Sequence, residues 1–231
     1  MSELVDRWQQ VVQRIAHATR SAGREAGSVR LLAVSKTKPA AMVEQLHAAG
    51  QQDFGESYLQ EALAKIEALQ GAGIGWHFIG PLQSNKTRQV AEHFDWVHSV
   101  DRVKIAQRLN DQRPADKPPL KVLIQVNVSA EASKSGVTEK DELLTLAKTV
   151  ADAPHLELMG LMAIPMADAS DEQQHAAFRQ LRELRDYLAD KLGQPLPELS
   201  MGMSDDLEPA VAEGSTWVRI GTAIFGERDY S

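Results

Sequence analysis

A lysine at the end of an apolar run is the first group in this chain with the means to do covalent chemistry. Lys36 closes Leu31-Leu32-Ala33-Val34-Ser35-Lys36 and is followed by Thr37-Lys38-Pro39, where a helix can begin. A short apolar run ended by a turn reads as a buried strand, and Pro39 suits the first turn of a following helix. Lys36 therefore falls at a strand's carboxyl end, the face on which α/β folds gather their ligands. A lysine partly desolvated there loses some preference for its charged form, and the neutral amine can capture a carbonyl as a Schiff base. A strand-end lysine that simply reaches water fits the same position, so the rest of the chain has to decide.

A second group of residues suggests an anion site. Ser200-Met201-Gly202-Met203-Ser204-Asp205-Asp206 leaves one apolar run and enters a helical pattern, and Arg219-Ile220-Gly221-Thr222 leaves another. Gly202 and Gly221 permit close backbone approach, Ser204 and Thr222 offer hydroxyls, and barrels often bind phosphate at these two loops. Ser204 also reads as a helix N-cap with Asp205 and Asp206 in the first turn, and the two carboxylates are expected to point away from any phosphate. Ser57, in Ser57-Tyr58-Leu59-Gln60, fits a capping box. His77 reads as a hydrogen-bonded structural residue rather than a base. Met159, Met162, Met166, Met201 and Met203 read as barrel filling.

These residues need a scaffold, and the periodicity supplies one. Leu4, Trp8, Val11, Val12, Ile15, Ala18 and Ala22 are spaced as an amphipathic helix over residues 4–22. Strand-like runs recur at Leu31–Val34, Gln52–Phe54, Trp76–Ile79, Trp96–Val100, Val122–Val128, Leu156–Ile164, Leu196–Met201 and Trp217–Ile220. Helical patterns lie between them, near 40–49, 56–70, 85–94, 101–111, 138–152, 171–192 and 204–213. Such alternation implies right-handed parallel βαβ units, and eight strands suffice to close a barrel. The fold class is α/β: one (β/α)8 TIM barrel with an additional N-terminal helix, spanning residues 1–231 as a single domain.

Within that frame Pro114–Pro119 is a helix-to-strand loop on the bottom face. Ser129–Gly136 is a functional-face loop that looks mobile; it reads as solvated, with Lys134 as a group that could sweep over a ligand. Phe178, Leu181, Leu184, Leu188 and Leu192 form a core stripe ending at Gly193, and Arg7, Gln10 and Arg14 read as a plainly solvated face.

Composition excludes several classes. With 25 basic against 32 acidic residues, net charge −7 and mixed signs, no stripe could neutralise nucleic-acid phosphates. There is no cysteine, so disulfides, thiolate catalysis and zinc-thiolate sites are ruled out, and no metal site is expected. No run approaches the roughly 18 apolar residues of a membrane span. The expectation is a cytoplasmic, monomeric protein.

Taken together the motifs resemble the pyridoxal phosphate homeostasis proteins, relatives of the N-terminal barrel of alanine racemase. The likeness rests on Leu31–Lys36, Phe54-Gly55-Glu56, Trp76–Lys86, Gly160-Leu161-Met162, Leu199–Asp206 and Val218–Thr222, in order along nearly the whole chain. The resemblance implies that Lys36 forms an internal aldimine with pyridoxal 5′-phosphate (PLP), that Ser204, Gly221 and Thr222 bind its phosphate, and that Arg219 faces the pyridine nitrogen. Ser57, Ser200 and Met203 complete the expected cofactor-binding set. The family commonly has asparagine after Phe-Gly-Glu, where this chain has Ser57, which offers one hydrogen-bonding group where asparagine offers two. An arginine at the ring nitrogen discourages its protonation and weakens the ring as an electron sink. The chain ends at Ser231, just after the eighth strand, and the expectation is that no second domain supplies the opposing base of a racemase.

The function implied is a PLP-binding protein of vitamin B6 homeostasis, with no catalytic residue, that buffers the cofactor or passes it to PLP-requiring apoenzymes. The alternatives are a slow PLP-dependent enzyme such as an amino-acid racemase, and a cofactor-free Schiff-base aldolase.

Overall fold

The structure is a computed structural model and describes residues 2–129 and 131–227. Eight parallel strands close in sequence order: β1 Arg30–Val34, β2 Asp53–Glu56, β3 Gly75–Phe78, β4 Trp96–Val100, β5 Leu120–Gln125, β6 Leu156–Met162, β7 Glu198–Ser200 and β8 Trp217–Ile220. β8 returns to β1 with Leu32 opposite Arg219 and Ala33 opposite Ile220. The expected (β/α)8 barrel is the observed fold.

Nine α-helices surround the barrel among the described residues: α1 Glu3–Ser21, α2 Ala40–Ala49, α3 Leu59–Ala68, α4 Thr87–His93, α5 Val103–Gln112, α6 Lys140–Asp152, α7 Asp171–Leu192, α8 Leu207–Ala212 and α9 Thr222–Phe225. A 3₁₀ turn at Ser84–Lys86 leads into α4. The stripe on α7 behaves as expected: Phe178, Leu181 and Leu188 are buried, a Ser170/Gln173 capping box starts the helix, and Gly193 ends it at φ 65°. The loop at 114–119 joins α5 to β5 on the bottom face, as expected.

Two apolar layers hold the barrel. The larger lies between sheet and helices and includes Val43, Phe54, Val97, Ile105, Ile124, Leu146, Phe178 and Val218. A smaller one fills the barrel itself with Leu32, Trp96, Leu123, Met162 and Trp217. Of the methionines expected in the core, Met162 and Met201 are buried there, and Met159 packs against the inner layer. Met166 and Met203 are instead 43% and 39% exposed, because both lie in strand-to-helix loops above the barrel rather than in its strands.

Several boundaries move, each for a local reason. β2 runs on through Glu56 because Gly55 and Glu56 pair with His77 and Phe78 of β3. The helix that follows therefore starts at Leu59, with Tyr58 at its N-cap and no side-chain cap, so Ser57 forms no capping box. Ser204 is no N-cap either. α8 begins at Leu207 with Asp206 before it, and the Asp206 carboxylate accepts from the Met203 N–H at 2.6 Å, closing a turn that holds both aspartates outside the helix.

The barrel interior is not wholly apolar, since His77 and His98 are completely buried inside it. Desolvation holds both imidazoles below the usual histidine pKa, His98 well below, with His77, Arg219 and Arg30 adding repulsion. A depressed histidine pKa contributes stability above the unfolded value near 6.5 and loses it as pH falls. Acidification from about pH 7 to about pH 5 is expected to lower the unfolding midpoint, and His98→Gln should flatten that slope. Denaturant melts of both proteins across the window measure this.

Candidate functional site

The described loops at the strands' carboxyl ends surround a cleft of about 500 Å³. Lys36, Lys38, Ser57, Met203, Ser204, Arg219, Gly221 and Thr222 all line it, with Val34, Ile79, Ile164, Ala223 and Phe225 supplying apolar wall. Seven of the eight expected cofactor residues thus converge on one cavity. Ser200, the eighth, is fully buried beneath it, and its hydroxyl touches Arg219 Nη1 at 2.8 Å.

Lys36 is fixed through its neighbours. Ser35 is buried, and its Oγ donates to Glu56 Oε1 at 2.6 Å, while its carbonyl accepts from Lys65 Nζ at 2.8 Å. On the other side the Thr37 N–H donates to Glu61 Oε1 at 2.6 Å, and Thr37 takes φ 67°. A β-branched residue at positive φ is strained, of order 1–3 kcal/mol, and persists only where its surroundings over-determine it. Lys65 Nζ supplies that constraint by bridging Glu56 and Glu61, both at 2.7 Å. Burial pushes the Glu56 carboxyl up, and the Lys65 charge opposes that rise. Phe-Gly-Glu was legible as a motif, but the role of Lys65 on α3 was not: its i,i+4 spacing to Glu61 reads as an ordinary helix-surface pair, and nothing local marks Glu56 or the Ser35 carbonyl as further partners.

Arg219, on β8, forms the cleft floor. Its Nη2 donates to the Ala163 carbonyl at 3.0 Å and its Nη1 to Ser200 Oγ, and only 4% of the residue is exposed. Desolvation pushes its pKa down to about 10, with Asp206 pulling the other way, so it stays a cation at neutral pH.

Ser204 from the β7 loop lines the cleft together with Gly221 and Thr222, which follow β8. Gly202 does not line this cleft. It sits buried at φ 97°, and a Cβ there would come within 2.6 Å of Ala210 Cβ, so its freedom serves packing under α8. Asp205 lines the same cleft, whereas Asp206 is turned inward onto Met203.

The N-terminal helix has a role here that its spacing hid. Arg14 Nη1 donates to the Ser204 carbonyl at 2.8 Å, with its other nitrogens on Glu208 at 2.7 and 2.6 Å, and Arg7 Nε donates to the Ile224 carbonyl at 2.7 Å. These two arginines therefore clamp the loop after β7 and the helix α9 after β8 from outside; Gln10 is exposed as expected. The Lys134 ammonium lies between Glu131 Oε1 and the Pro165 carbonyl, both at 3.0 Å, which ties the β5 loop to the β6 loop instead of reaching the cleft. His77 is structural, hydrogen-bonded at both ring nitrogens. Among the described residues no group of three or more His, Asp or Glu is placed to hold a metal.

The alanine racemase N-terminal domain family matches residues 11–229. The chain is 61% identical to a pyridoxal phosphate homeostasis protein of Pseudomonas aeruginosa, over 100% of this chain and 98% of that one. It is 52% identical to the corresponding protein of Escherichia coli, over 100% and 99%. Among solved structures, PipY of Synechococcus elongatus with PLP bound aligns with a TM-score of 0.80 and 39% identity, over 92% of this chain and 100% of that one. The chain belongs to the pyridoxal phosphate homeostasis protein family, built on the barrel of the alanine racemase N-terminal domain.

Removing one partner of a buried ion pair leaves an uncompensated charge and costs about 3–5 kcal/mol. Lys65→Ala is expected to lose stability of that order in urea unfolding, with Glu56→Gln in the same background recovering part of it.

Proposed function

We propose that this protein binds PLP in the cleft, holds it covalently on Lys36, and serves PLP homeostasis without efficient turnover of amino acids. The observation that carries the reading is the convergence of an amine, a buried guanidinium and a hydroxyl-bearing glycine turn on one cavity of cofactor size. The relatives' name, pyridoxal phosphate homeostasis protein, and the PLP bound in PipY support it.

In this reading Lys36 would hold the cofactor through its amine, a group that can condense with a carbonyl with loss of one water. Ser204, Gly221 and Thr222 hold the phosphate, where hydroxyl and backbone donors suit a dianion. Ser57 and Met203 flank the ring. When bound, the cofactor supplies an electron-withdrawing pyridine ring whose strength depends on the protonation of its nitrogen. Arg219, which lines the cleft, would face that nitrogen. A guanidinium is a donor with no proton to spare, so the nitrogen remains an acceptor and carbanion chemistry is disfavoured. Ser200 acts from beneath by holding Arg219.

The titratable groups among the described cleft residues are Lys36, Lys38, Asp205 and Arg219, and Lys38 Nζ is engaged by the Glu227 carbonyl at 2.8 Å. A monomeric cytoplasmic carrier that passes PLP to apoenzymes is the cellular role we propose. No helix among the described residues is long and apolar enough to cross a membrane.

Adding PLP to wild type is expected to give a visible Schiff-base band that Lys36→Ala lacks. Undiminished absorption in that variant would remove Lys36 from the role. Loss of the Ser204 and Thr222 hydroxyls together should weaken PLP binding by about a hundredfold or more, as hydrogen bonds to a charged group are worth about 1.5–3 kcal/mol each. Robust α-proton exchange with a panel of amino acids would instead establish a slow PLP-dependent enzyme.

A further inference from the structure

An unbroken line of side-chain hydrogen bonds runs through the barrel from the cleft floor to the opposite face. Arg219 Nη1 meets Ser200 Oγ at 2.8 Å, and Ser200 Oγ meets His98 Nδ1 at 2.8 Å. His98 Nε2 meets His77 Nδ1 at 2.9 Å, and His77 Nε2 meets Asp53 Oδ1 at 2.9 Å. Arg219 is 4% exposed and Ser200, His98 and His77 are wholly buried, whereas Asp53 opens onto a groove on the bottom face beside Arg30, Gln51 and Trp8.

We infer that this line is a directional relay, with every N–H and O–H pointing away from the cleft toward Asp53. Ser200, His98, His77 and Asp53 are then positioning residues for Arg219. The inference rests on the proposed function only where Arg219 meets the cofactor's ring nitrogen.

The direction follows from the two ends. Arg219 can only donate, so Ser200 Oγ accepts from it and its own proton must go elsewhere. The His98 Nδ1 lone pair is the partner in reach. With Nδ1 accepting, a neutral His98 carries its proton on Nε2 and donates to His77 Nδ1. His77 is then protonated on Nε2 and donates to the Asp53 carboxylate, which can only accept. The reverse arrangement would set a lone pair of His77 against that carboxylate and leave the Ser200 hydroxyl proton without this acceptor.

Both imidazoles are held neutral by desolvation, which the one-way arrangement requires. Trp96 stacks on His77 at 5.1 Å and 6°, and Trp217 meets it edge-on at 4.9 Å, so the rings are walled from water. The charged groups acting on the relay include Asp53, Asp95, Asp206, Arg30 and Arg219; Arg30 lies over the Trp217 ring at 3.9 Å. Gly75 is what lets Asp53 reach its place, because a Cβ there would lie 2.3 Å from Asp53 Oδ1.

A chain of aligned hydrogen bonds in a low dielectric polarises along its length. Its cation and its carboxylate lie at opposite ends, so the Asp53 charge favours the orientation of Ser200 that receives Arg219. Changing Asp53 should be felt at the cleft through the barrel interior.

The test begins with cofactor-free protein. Imidazole ¹⁵N shifts, assigned with His77→Gln and His98→Gln, are expected to show both rings neutral and protonated on Nε2 at neutral pH. Protonation at Nδ1, or on both nitrogens, of either ring would overturn the relay. In Asp53→Asn, which keeps the size but removes the charge, both tautomers should become mixed. PLP affinity in that variant should fall by about three- to tenfold with a shift of the visible band, and Asp53→Glu should restore part of both. Wild-type tautomers, affinity and band position in Asp53→Asn would show that the carboxylate positions nothing. If wild type itself gives no band with PLP, the proposed function fails, and the imidazole shifts alone still decide the direction of the relay.

Discussion

A guanidinium withdrawn from water has to be given its hydrogen bonds back, and the interior of this barrel is arranged around that requirement. Arg219 is 4% exposed on β8, among strands whose neighbouring interior side chains are Leu32, Trp96, Leu123, Met162 and Trp217. The Ala163 carbonyl and Ser200 hydroxyl take two of its donors, and Ser200 in turn depends on His98 and His77. Replacing any of these polar residues by an apolar one would strand a buried donor, which costs more than the lost bond itself. The polar axis and the two tryptophans therefore have to be understood together: the rings exclude water, and the exclusion gives each hydrogen bond its strength.

Around that axis the cleft is assembled from separate supports. Lys36 is bracketed by the Lys65 cluster, whose hydrogen bonds reach Ser35 and, through Glu61, the strained Thr37. The loop after β7 and helix α9 after β8 are held from outside by Arg14 and Arg7 of α1. Each support lies outside the cleft and acts on the backbone of a cleft residue or of its neighbour. A site whose amine and floor are both fixed in this way favours holding a ligand in one pose.

Much of this was legible in the sequence because apolar runs and glycine turns are local signals. The eight strands, the core stripe of α7 and its stop at Gly193, and the gathering of Lys36, Ser204, Arg219, Gly221 and Thr222 all follow from patterns a few residues long. What escaped was non-local. Ser57 looked like a cap because Tyr58-Leu59-Gln60 follows it, but pairing with β3 carries β2 through Glu56 and delays the helix. Arg7 and Arg14 looked solvated because their acceptors are backbone carbonyls about two hundred residues away. His77 was rightly read as hydrogen-bonded, yet its partners His98 and Asp53 lie on two other strands. No spacing along the chain could have joined them.

The central claim is that Lys36 is the residue that holds the cofactor. Borohydride reduction of the PLP-treated protein, followed by peptide mapping with mass spectrometry, tests it most directly. A single stable pyridoxyl adduct on the peptide containing Lys36 is the result predicted. An adduct confined to another lysine, or none after saturation with PLP, would contradict the account.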